Sequence, residues 1–533
     1  MDDLRDLTGP SAGARIEVRR LDPVPDLGAL AAAADGDLVW LDSALPDGAP
    51  EAARPRARWS VLTWTDGPFV ARFRHQDRQA SVEVAAPAAD WFGPSSSDDR
   101  PAFAVLADLL ARTPQLPEPI VGCGFALGWV GFLGYELGRE SGGPDRTADG
   151  HADADLRFVD RAVVVDHTGG AWALTLVADA EPAASAQNRA WLETVTGSPS
   201  PADVADAATG LPAGVSSAVG RTSRADHERA VDACRAEIRE GNAFQVCLTT
   251  SFSVPGGDRE ARVGPGTDPH LSDPHLSDPH LSDPHLSDPH LYDYMRMRAS
   301  DPVPFGAYLR LGPLRVASRS PERFLRIAAD GTVLAEPIKG TRRRLADAVA
   351  DAAVRDELAV SAKDRAENVM IVDLLRNDLL RTAIPGSVHV ERLCAVETYA
   401  SVHQMVSTIG AVLPSGTSPA DVVRAAFPPG SMTGAPKISA MAIAARLEGA
   451  PRGVYSGTIG YFSASGAVDL SVAIRTLVTV VDAPDGVGPV EIRSRTLGAG
   501  GAVTWSSVAA DEADEVVTKT RSVLGAVGAV ATW

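Results

Sequence analysis

Short apolar runs separated by turn-forming residues constrain the fold of this chain most strongly. In residues 1–200, runs such as Asp37–Leu41 and Trp59–Trp64 lie between stretches rich in Ala, Pro, Gly and Asp. Runs of this length predict β-strands rather than helices. The segment Phe125–Glu136 alternates small and large residues, which is typical of strands packed closely against another layer. We therefore predict a β-rich N-terminal lobe.

The rest of the chain mixes helical and strand patterns. Residues 196–222 have the Gly-, Ser- and Pro-rich composition of a linker, so a second unit is predicted to follow them. Arg224–Glu240 has the apolar spacing of an amphipathic helix, and strand signals return in Val454–Phe462. A length of 533 residues also exceeds the usual size of one core. We predict a two-lobed α+β fold, with a lobe at 1–200, a linker at 201–223 and a larger domain at 224–533.

An internal repeat interrupts the second unit. Asp-Pro-His-Leu recurs five times with a period of five residues within residues 267–291, and it supplies five of the eleven histidines. Metal binding is one interpretation of this repeat, because clustered imidazoles chelate metal ions. Prolines at every fifth position and the absence of a mixed ligand set favour an exposed low-complexity insertion instead.

Composition excludes several classes of function. The formal net charge of −19 argues against a nucleic-acid partner, which needs a concentrated basic face. The chain has no run of about 18 apolar residues to span a membrane, and its acidic N-terminus lacks the order of a signal peptide. Four cysteines lie far apart without metal-ligand spacing, as expected in a reducing compartment: Cys123, Cys234, Cys247 and Cys394. We therefore expect a cytoplasmic protein that binds neither nucleic acid nor membrane.

The stretch Glu336–Arg344 places one lysine between two residues with special backbone properties. Pro337 fixes φ and Gly340 permits unusual values, so Lys339 is predicted to lie on a defined turn at a strand end. An apolar pattern before this stretch predicts a β-hairpin, which begins after Glu322. Closure of that hairpin would bring a carboxylic acid beside a lysine. The pair is then either a structural ion pair or an acid with a nucleophile.

Two pairs of acids recur at helical spacing. Asp364 and Glu367 are three residues apart on one predicted helix. Glu512 and Glu515 repeat that spacing on another helix, with Lys519 one turn further on. Solvated helix faces are the commoner explanation for such pairs. If the two helices converge, their four carboxylates suit Mg²⁺, which prefers oxygen ligands and retains several waters.

Two glycine-rich segments are further candidates. Gly498–Ala502 follows a predicted strand, and its amides are candidates for binding an anion. Phe427–Lys437 is a turn rich in glycine and proline that precedes a helical pattern. Neither segment has the spacing of a nucleotide-binding fingerprint.

Several long motifs in the second unit occur together and in a fixed order. They are Phe244–Val246, Ser320–Phe324, Asp364–Asn368, Asp373–Asp378, Phe427–Lys437 and Asp469–Arg475. In these motifs the chain resembles the chorismate-utilising enzymes, a family that includes anthranilate synthase component I, aminodeoxychorismate synthase component I, and isochorismate and salicylate synthases. The resemblance covers roughly residues 224–533 and is looser before them.

The resemblance implies a two-lobed α+β fold in which β-sheets form a sandwich flanked by helices, with the active site between sheets in the second lobe. It also implies that Glu367 and Glu515 hold Mg²⁺, supported by Asp364 and Glu512, and that the ion binds the ring carboxylate of chorismate. The residues that the resemblance assigns to substrate binding are Thr341, His403, Thr433, Tyr455, Arg475, Gly500, Gly501 and Lys519.

The lysine at position 339 is the informative variant within the family. Anthranilate synthases typically have alanine there, whereas the lysine form resembles aminodeoxychorismate synthase. In that chemistry Glu322 is the general acid at the C4 hydroxyl and Lys339 attacks C2, so that ammonia can add at C4 and give 4-amino-4-deoxychorismate for p-aminobenzoate and folate synthesis. A nucleophilic lysine must be neutral, which burial favours. Anthranilate synthesis and a non-catalytic chorismate-binding paralogue remain the alternatives.

The family usually takes ammonia from glutamine through a glutaminase subunit. In this chain Gly122–Gly124 is the candidate for a nucleophile turn, but its surroundings match the β-rich lobe, so a separate glutamine amidotransferase partner is expected. Cys247 and Ala502 depart from the commoner asparagine and glycine. Leu41–Ser43 only loosely resembles the tryptophan-binding motif of feedback-regulated members, so regulation by tryptophan is not expected.

Overall fold

The computed structural model describes residues 4–8, 13–44, 51–148, 150–197, 215–255, 288–399, 402–482 and 491–533. Among these residues no helix is long and apolar enough to cross a membrane. The helices are Leu27–Ala32 (α1), Ala89–Phe92 (α2), Ala102–Arg112 (α3), Pro182–Gly197 (α4), Arg224–Arg239 (α5), Pro289–Ser300 (α6), Ala348–Val360 (α7), Ala362–Leu380 (α8), Pro419–Ala426 (α9), Lys437–Glu448 (α10) and Ala509–Ala526 (α11).

Strands alternate with these helices along the whole chain. They are Leu4–Thr8 (β1), Ala14–Leu21 (β2), Leu38–Asp42 (β3), Trp59–Trp64 (β4), Ala71–Gln76 (β5), Gln79–Val84 (β6), Ser96–Asp98 (β7), Gly128–Leu133 (β8), Ala154–Val159 (β9), Arg161–Asp166 (β10), Ala171–Ala178 (β11), Ser216–Gly220 (β12), Gln245–Ser253 (β13), Phe305–Leu311 (β14), Leu314–Ser320 (β15), Arg323–Ile327 (β16), Thr332–Glu336 (β17), Ile338–Arg343 (β18), His389–Thr398 (β19), Val402–Val412 (β20), Gly434–Ala435 (β21), Thr458–Ser463 (β22), Val468–Val472 (β23), Thr476–Val481 (β24), Ile492–Thr504 (β25) and Ala529–Thr532 (β26).

The strands form two large sheets, and each sheet contains strands from both halves of the chain. The first runs β1-β2-β11-β10-β4-β3-β14-β15-β24-β25-β13-β12-β26, with β21 beside β13. The second runs β18-β20-β17-β16-β23-β22-β8-β9-β5-β6-β7, with β19 beside β20. In each sheet the strands from the first half of the chain are adjacent to one another, and so are those from the second half. The two sets meet at β3 and β14 in the first sheet and at β8 and β22 in the second.

The largest hydrophobic core lies between the two sheets. Val61 and Val316 enter it from the first sheet, and Phe158 and Ile459 enter it from the second. Burial of apolar side chains contributed by both sheets drives this packing. A second core lies on the outer face of the first sheet, where Leu291 of α6 and Val523 of α11 pack. The fold is thus a sandwich of sheets with helices outside it.

The alternation of small and large residues in β8 has a geometric reason. Gly131 of β8 faces Gly460 of β22 across the seam between the two halves. A Cβ atom on Gly131 would lie 2.1 Å from the carbonyl oxygen of Asp155, and one on Gly460 would lie 2.0 Å from that of Asp469. Any larger side chain at either position would therefore push the neighbouring strands apart.

Most elements predicted from the sequence are confirmed, and the details of two segments differ. Residues 198–214 and 256–287 lie outside the described part of the chain, so most of the predicted linker and of the repeat cannot be placed. Ser216–Gly220, inside the predicted linker, forms β12 and pairs with β13 and β26. The last repeat copy was wrongly predicted to be exposed, because it begins α6, where His290 and Leu291 are 8% and 1% exposed. The domain boundaries stay a prediction.

Candidate active site

The hairpin β16–β17 leads the chain to the two residues predicted to do chemistry. Arg323 and Glu336 face each other in register at its open end, so Glu322 precedes that pair and Lys339 follows it by three residues. β18 then pairs with β20, and its register shifts between Ile338 and Thr341. The expectation of a strand-end turn was therefore wrong in detail, since Lys339 lies in an irregular part of β18.

Glu322 and Lys339 interact electrostatically, and Glu322 is buried. Glu322 is 6% exposed, and burial raises the pKa of its carboxyl, while Lys339 acts in the opposite direction. Lys339 is half-buried, and it makes no hydrogen bond or ion pair with any residue that the structure describes. Desolvation favours the uncharged acid. The arrangement thus suits a proton donor beside an amine that is not already engaged.

Asp364 and Glu367 project from the first turns of α8, whose N-terminus is capped by Ser361. The Oδ2 atom of Asp364 accepts hydrogen bonds from Arg342 at 2.8 Å and from Ser361 at 2.6 Å. Gly340 permits this close approach of β18 and α8, because its φ is 78° and a Cβ atom there would lie 2.9 Å from Asp364 Oδ1. Asp364 therefore lies directly beside the strand that contains Lys339.

Glu512 and Glu515 project from α11, which packs against β25. Lys519 donates to Glu515 at 2.7 Å and to the carbonyl oxygen of Gly500 at 2.8 Å, and so joins helix to strand. A Cβ atom on Gly501 would lie 2.7 Å from Oε2 of Glu512. Gly501 is therefore required where the buried carboxylate meets the sheet.

The prediction that Gly498–Ala502 follows a strand was wrong, because the segment lies inside β25, where Gly500 pairs with Thr249 and Gly501 pairs with Leu248. Binding of an anion by its amides stays a prediction. The glycines also leave space, because they have no Cβ atom. The space is filled by Tyr455, whose ring a Cβ atom on Gly498 would meet at 2.3 Å, as well as by Glu512.

The four carboxylates, Asp364, Glu367, Glu512 and Glu515, form one group that we call the carboxylate cluster. Burial raises the pKa of Glu367, and the charges of Asp364 and Glu515 raise it further. Burial likewise raises the pKa of Glu512, with a further contribution from Glu515. For Glu515, burial acts upward but the neighbouring Lys519 brings the net pKa below its ordinary value. Two helices distant in sequence thus bring their acids within reach of one another.

The carboxylate cluster fits a hydrated divalent cation better than a dry cage of ligands. Across the described residues no three His, Cys, Asp or Glu side chains are arranged to hold a metal ion directly. Mg²⁺, however, keeps several waters and commonly takes only one or two protein carboxylates. Oε2 of Glu512 is buried without a hydrogen-bond partner, which is costly unless a cation or water meets it. The donor set is therefore suitable for Mg²⁺.

The other residues predicted to bind substrate differ in whether their polar groups are already bonded to the protein. Arg475 has φ of 53°, and its guanidinium makes no hydrogen bond or ion pair with a described residue. Burial, and then the nearby Arg319, lower the pKa of Arg475, and Asp301 and Tyr455 raise it. A half-buried cation of this kind attracts an anion, and its left-handed backbone is typical of functional sites. Tyr455 is itself buried, with its pKa raised by desolvation.

Two other residues predicted to bind substrate, Thr433 and His403, have polar atoms that are already hydrogen-bonded within the fold. The Oγ1 of Thr433 donates to Gly430 at 3.2 Å. Both ring nitrogens of His403 are engaged, with Thr398 at 2.8 Å and with Asp351 at 3.1 Å. Thr341 is exposed on β18. If His403 lines a ligand pocket, it does so with ring carbons, because its polar atoms hold the fold.

Sequence reasoning did not single out Cys247 and Lys363 as members of the site. Cys247 lies on β13, and burial raises the pKa of its thiol while Arg452, Lys339 and Lys519 act in the opposite direction. Lys363 lies 4.0 Å from Glu367. One available signal was rarity, since the chain has only four lysines, and three of them, Lys339, Lys363 and Lys519, lie at the carboxylate cluster.

The candidate glutaminase nucleophile does not have the properties of one. Cys123 is buried, and desolvation raises the pKa of its thiol to about 12. The thiolate is the nucleophilic form, so a thiol of this kind is inert at neutral pH. The rejection of Gly122–Gly124 as a nucleophile turn therefore agrees with the structure.

A buried acid, a lysine without a bonded partner among the described residues and the carboxylate cluster lie together in the second half of the chain. A family model described as chorismate binding enzyme matches residues 69–263 and 282–525. The chain belongs to the chorismate binding enzyme family. The resemblance recognised in the sequence motifs is thereby confirmed.

Two named relatives are similar to this chain over most of its length. Aminodeoxychorismate synthase of Streptomyces griseus is 40% identical over 499 residues, which cover 91% of this chain and 60% of that relative. The chain thus spans about 60% of that relative's length. Aminodeoxychorismate synthase component 1 of Klebsiella aerogenes is 36% identical over 375 residues, covering 69% of this chain and 72% of that relative.

The fold has a counterpart among solved structures. The crystal structure of anthranilate synthase component I from Streptococcus pneumoniae superposes with a TM-score of 0.66 at 24% identity. The superposition covers 88% of this chain and 92% of that chain. The predicted two-lobed α+β fold is therefore confirmed.

Proposed function

We propose that this chain aminates chorismate at C4 and produces 4-amino-4-deoxychorismate, the precursor of p-aminobenzoate and folate. The observation that supports this most directly is the buried pair of Glu322, whose pKa is raised by desolvation, and Lys339, which has no bonded partner among the described residues. The names of the two relatives, both aminodeoxychorismate synthases, support the same activity.

In the proposed reaction Nζ of Lys339 attacks C2 of chorismate while Glu322 gives its proton to the C4 hydroxyl, which leaves as water. Ammonia then adds at C4, the bond between C2 and Nζ breaks, and the lysine is released. The raised pKa of Glu322 supports the acid role, because it keeps the carboxyl protonated at higher pH than usual. The attacking form of Lys339 in this reaction is the neutral amine.

The two carboxylates of chorismate are proposed to bind at two ends of the site. Glu367 and Glu515 would hold Mg²⁺, with Asp364 and Glu512 supporting them. When bound, the ion would supply positive charge for the ring carboxylate of chorismate. At the other end Arg475, which is half-buried and makes no hydrogen bond or ion pair with a described residue, would bind the enolpyruvyl carboxylate beside Tyr455. The remaining assigned contacts are Thr341, His403, Thr433, Gly500, Gly501 and Lys519.

Ammonia is proposed to come from a separate glutamine amidotransferase subunit. The Klebsiella aerogenes relative is named component 1, which supports a second component. The inert thiol of Cys123 supports the same division, because it offers no glutaminase nucleophile. We also infer a cytoplasmic location, which is supported by four buried cysteines without a disulfide.

Product identification tests the proposal. Purified protein is incubated with chorismate, Mg²⁺ and an ammonium salt, with and without an added aminodeoxychorismate lyase. We expect p-aminobenzoate that depends on the lyase, detected by liquid chromatography and mass spectrometry. Fluorescent anthranilate formed without the lyase would instead show amination at C2, and chorismate binding without any product would show a non-catalytic relative.

A further inference from the structure

A group of six charged residues, four of them buried and two partly exposed, joins the first half of the chain to the reactive hairpin. Three are cations and three are anions, and we call the group the arginine network: Arg56, Arg323, Arg392, Glu336, Glu397 and Asp469. Arg56 alone comes from the first half, from a short 3₁₀ helix at Glu51–Ala57. Its side chain is 3% exposed. Buried charges are tolerated only when they are paired in this way.

One end of the arginine network is fixed to β19. Nη2 of Arg56 donates to both oxygens of Glu397, at 2.5 Å and 2.6 Å. Arg392 donates to the same carboxylate at 2.6 Å, and the Tyr399 hydroxyl donates to it at 2.7 Å. Charge-assisted hydrogen bonds of this kind are short and strong. Arg56 is therefore held at Glu397.

The other end reaches the hairpin. Nε of Arg56 lies 3.4 Å from Oε1 of Glu336, and Nη1 of Arg323 donates to Oε2 of Glu336 at 2.6 Å. Arg323 also donates to Asp469 at 2.9 Å and 3.0 Å. Glu336 thus has one arginine on each oxygen, one from each half of the chain.

The position of Glu336 gives these contacts their importance. Glu336 faces Arg323 across the open end of the hairpin, where Arg323 directly follows Glu322 and Glu336 lies three residues before Lys339. Ile338 still pairs with Val406, and the strand register shifts beyond it, so regular pairing ends one residue before Lys339. The ion pairs at Glu336 therefore support this strand through side chains, in addition to its backbone pairing. Misplacement of a reacting group by about 1 Å can cost about 10²-fold in rate.

We propose that Arg56 is a positioning residue for the reaction, acting through Glu336 to hold the strand that presents Lys339 to Glu322. Through Arg56, the N-terminal half takes part in the chemistry without touching substrate. This inference rests on the proposed function, in which Lys339 is the nucleophile.

The test compares Arg56→Met with Arg392→Met. Both variants remove one arginine from Glu397, but only Arg56 also contacts Glu336, so Arg392→Met is the matched control. We expect Arg56→Met to lower kcat for chorismate amination by about tenfold or more, with KM for chorismate within about twofold. Arg392→Met is expected to stay within about twofold in both constants. Hydrogen–deuterium exchange of residues 333–343 should quicken in Arg56→Met alone.

Arg56→Lys is the second variant, in case the loss of a buried cation prevents folding. Lysine keeps the charge but cannot span Glu336 and Glu397, so kcat should again fall with little change in KM. Equal kcat values in the Arg56 and Arg392 variants, or wild-type kcat and exchange in Arg56→Lys, would overturn the role of Arg56. A wild-type protein that forms no product from chorismate would overturn the proposed function instead, and the exchange measurement does not depend on turnover.

Discussion

The arginine network and the carboxylate cluster are both built from buried acids, but they differ in what neutralises those acids. In the network Glu397 receives Arg56, Arg392 and a tyrosine hydroxyl. In the cluster Oε2 of Glu512 has no hydrogen-bond partner, and the pKa of Glu512 is raised by burial. A neutralised acid stabilises the fold, whereas an acid left without a cation is available to a ligand. The difference distinguishes carboxylates that are paired within the fold from a carboxylate oxygen that has no hydrogen-bond partner among the described residues.

The counterions differ in the same way. Arginine supplies every cation of the network, where planar two-point contacts are needed. Three of the chain's four lysines lie around the cluster, together with Arg342, which donates to Asp364. A lysine can lose its proton and attack carbon, which arginine does not do in proteins. The lysines therefore mark where the chemistry is proposed to occur.

Replacing the lysine that faces the cluster should have the largest effect. Lys339→Ala, and equally the charge-preserving Lys339→Arg, should lower kcat for chorismate amination by about 10³-fold or more, because neither side chain forms the covalent bond to C2. Mass spectrometry of the product measures this. Lys363→Arg, which keeps the charge at an exposed lysine with no assigned role in the reaction, is the control and should stay within about twofold. Wild-type product formation by Lys339→Arg would contradict the nucleophile assignment.

Glu322 is the one acid near the cluster that should act by giving a proton. Glu322→Gln should lower kcat by about 10²-fold to 10³-fold, because glutamine keeps the shape but cannot protonate the leaving hydroxyl. The acid form is present below its raised pKa, so wild-type kcat should fall as pH rises through that value. A pH profile of kcat measures the effect. The same profile in Glu322→Gln, with the alkaline limb unchanged, would assign the acid role to another group.

Stability measurements test the comparison directly. Glu397→Gln should lower the free energy of unfolding by about 3 kcal/mol, because it leaves Arg56 buried with one partner fewer. Glu512→Gln should raise it, because burial is the largest influence on this carboxyl and disfavours the charge that the variant removes. Urea unfolding at neutral pH without Mg²⁺ or chorismate measures both. Equal losses of stability in the two variants would show that the carboxylates have the same role.

The contributions of Glu397 and Glu512 to the free energy of unfolding should depend on pH with opposite sign. The net pKa of Glu397 is lowered, because Arg56 and its other partners outweigh burial, so its contribution is lost as pH falls through that lowered value. The pKa of Glu512 is raised by burial, so its contribution to stability is lost as pH rises through the raised value. Comparison of each variant with wild type across pH separates the two contributions.

Gly501→Ala should have the smallest effect. Its Cβ atom would lie 2.7 Å from Oε2 of Glu512, so the end of that side chain must move away from the sheet. We expect the Mg²⁺ concentration for half-maximal activity to rise by about tenfold, with kcat at saturating Mg²⁺ near wild type. Gly525→Ala is a suitable control, because a Cβ atom there meets nothing within 4 Å. An unchanged Mg²⁺ requirement would remove Glu512 from the metal site.

Local sequence patterns predicted the elements well where one face of an element is apolar. The strands Leu38–Asp42 and Trp59–Trp64 and the helix Arg224–Arg239 follow from periodicity alone. The prediction failed where residues distant in sequence determine a residue's environment. Gly498–Ala502 resembles a turn in sequence, yet it is strand interior because β13 and Tyr455 need the space that glycine leaves.

The sequence by itself determined the family, the α+β class and the identity of the candidate acid, amine and carboxylates, because motifs and short periodicities depend only on near neighbours. Only the tertiary structure decided which charges are neutralised. Arg56 reaches Glu336 and Glu397 across 280 and 341 positions of the sequence, and its guanidinium lies within ion-pair distance of both. Coulombic pairing depends on distance in space and on burial, and neither is encoded in local spacing. The tertiary structure therefore separates the carboxylates that hold the fold from those left for a ligand.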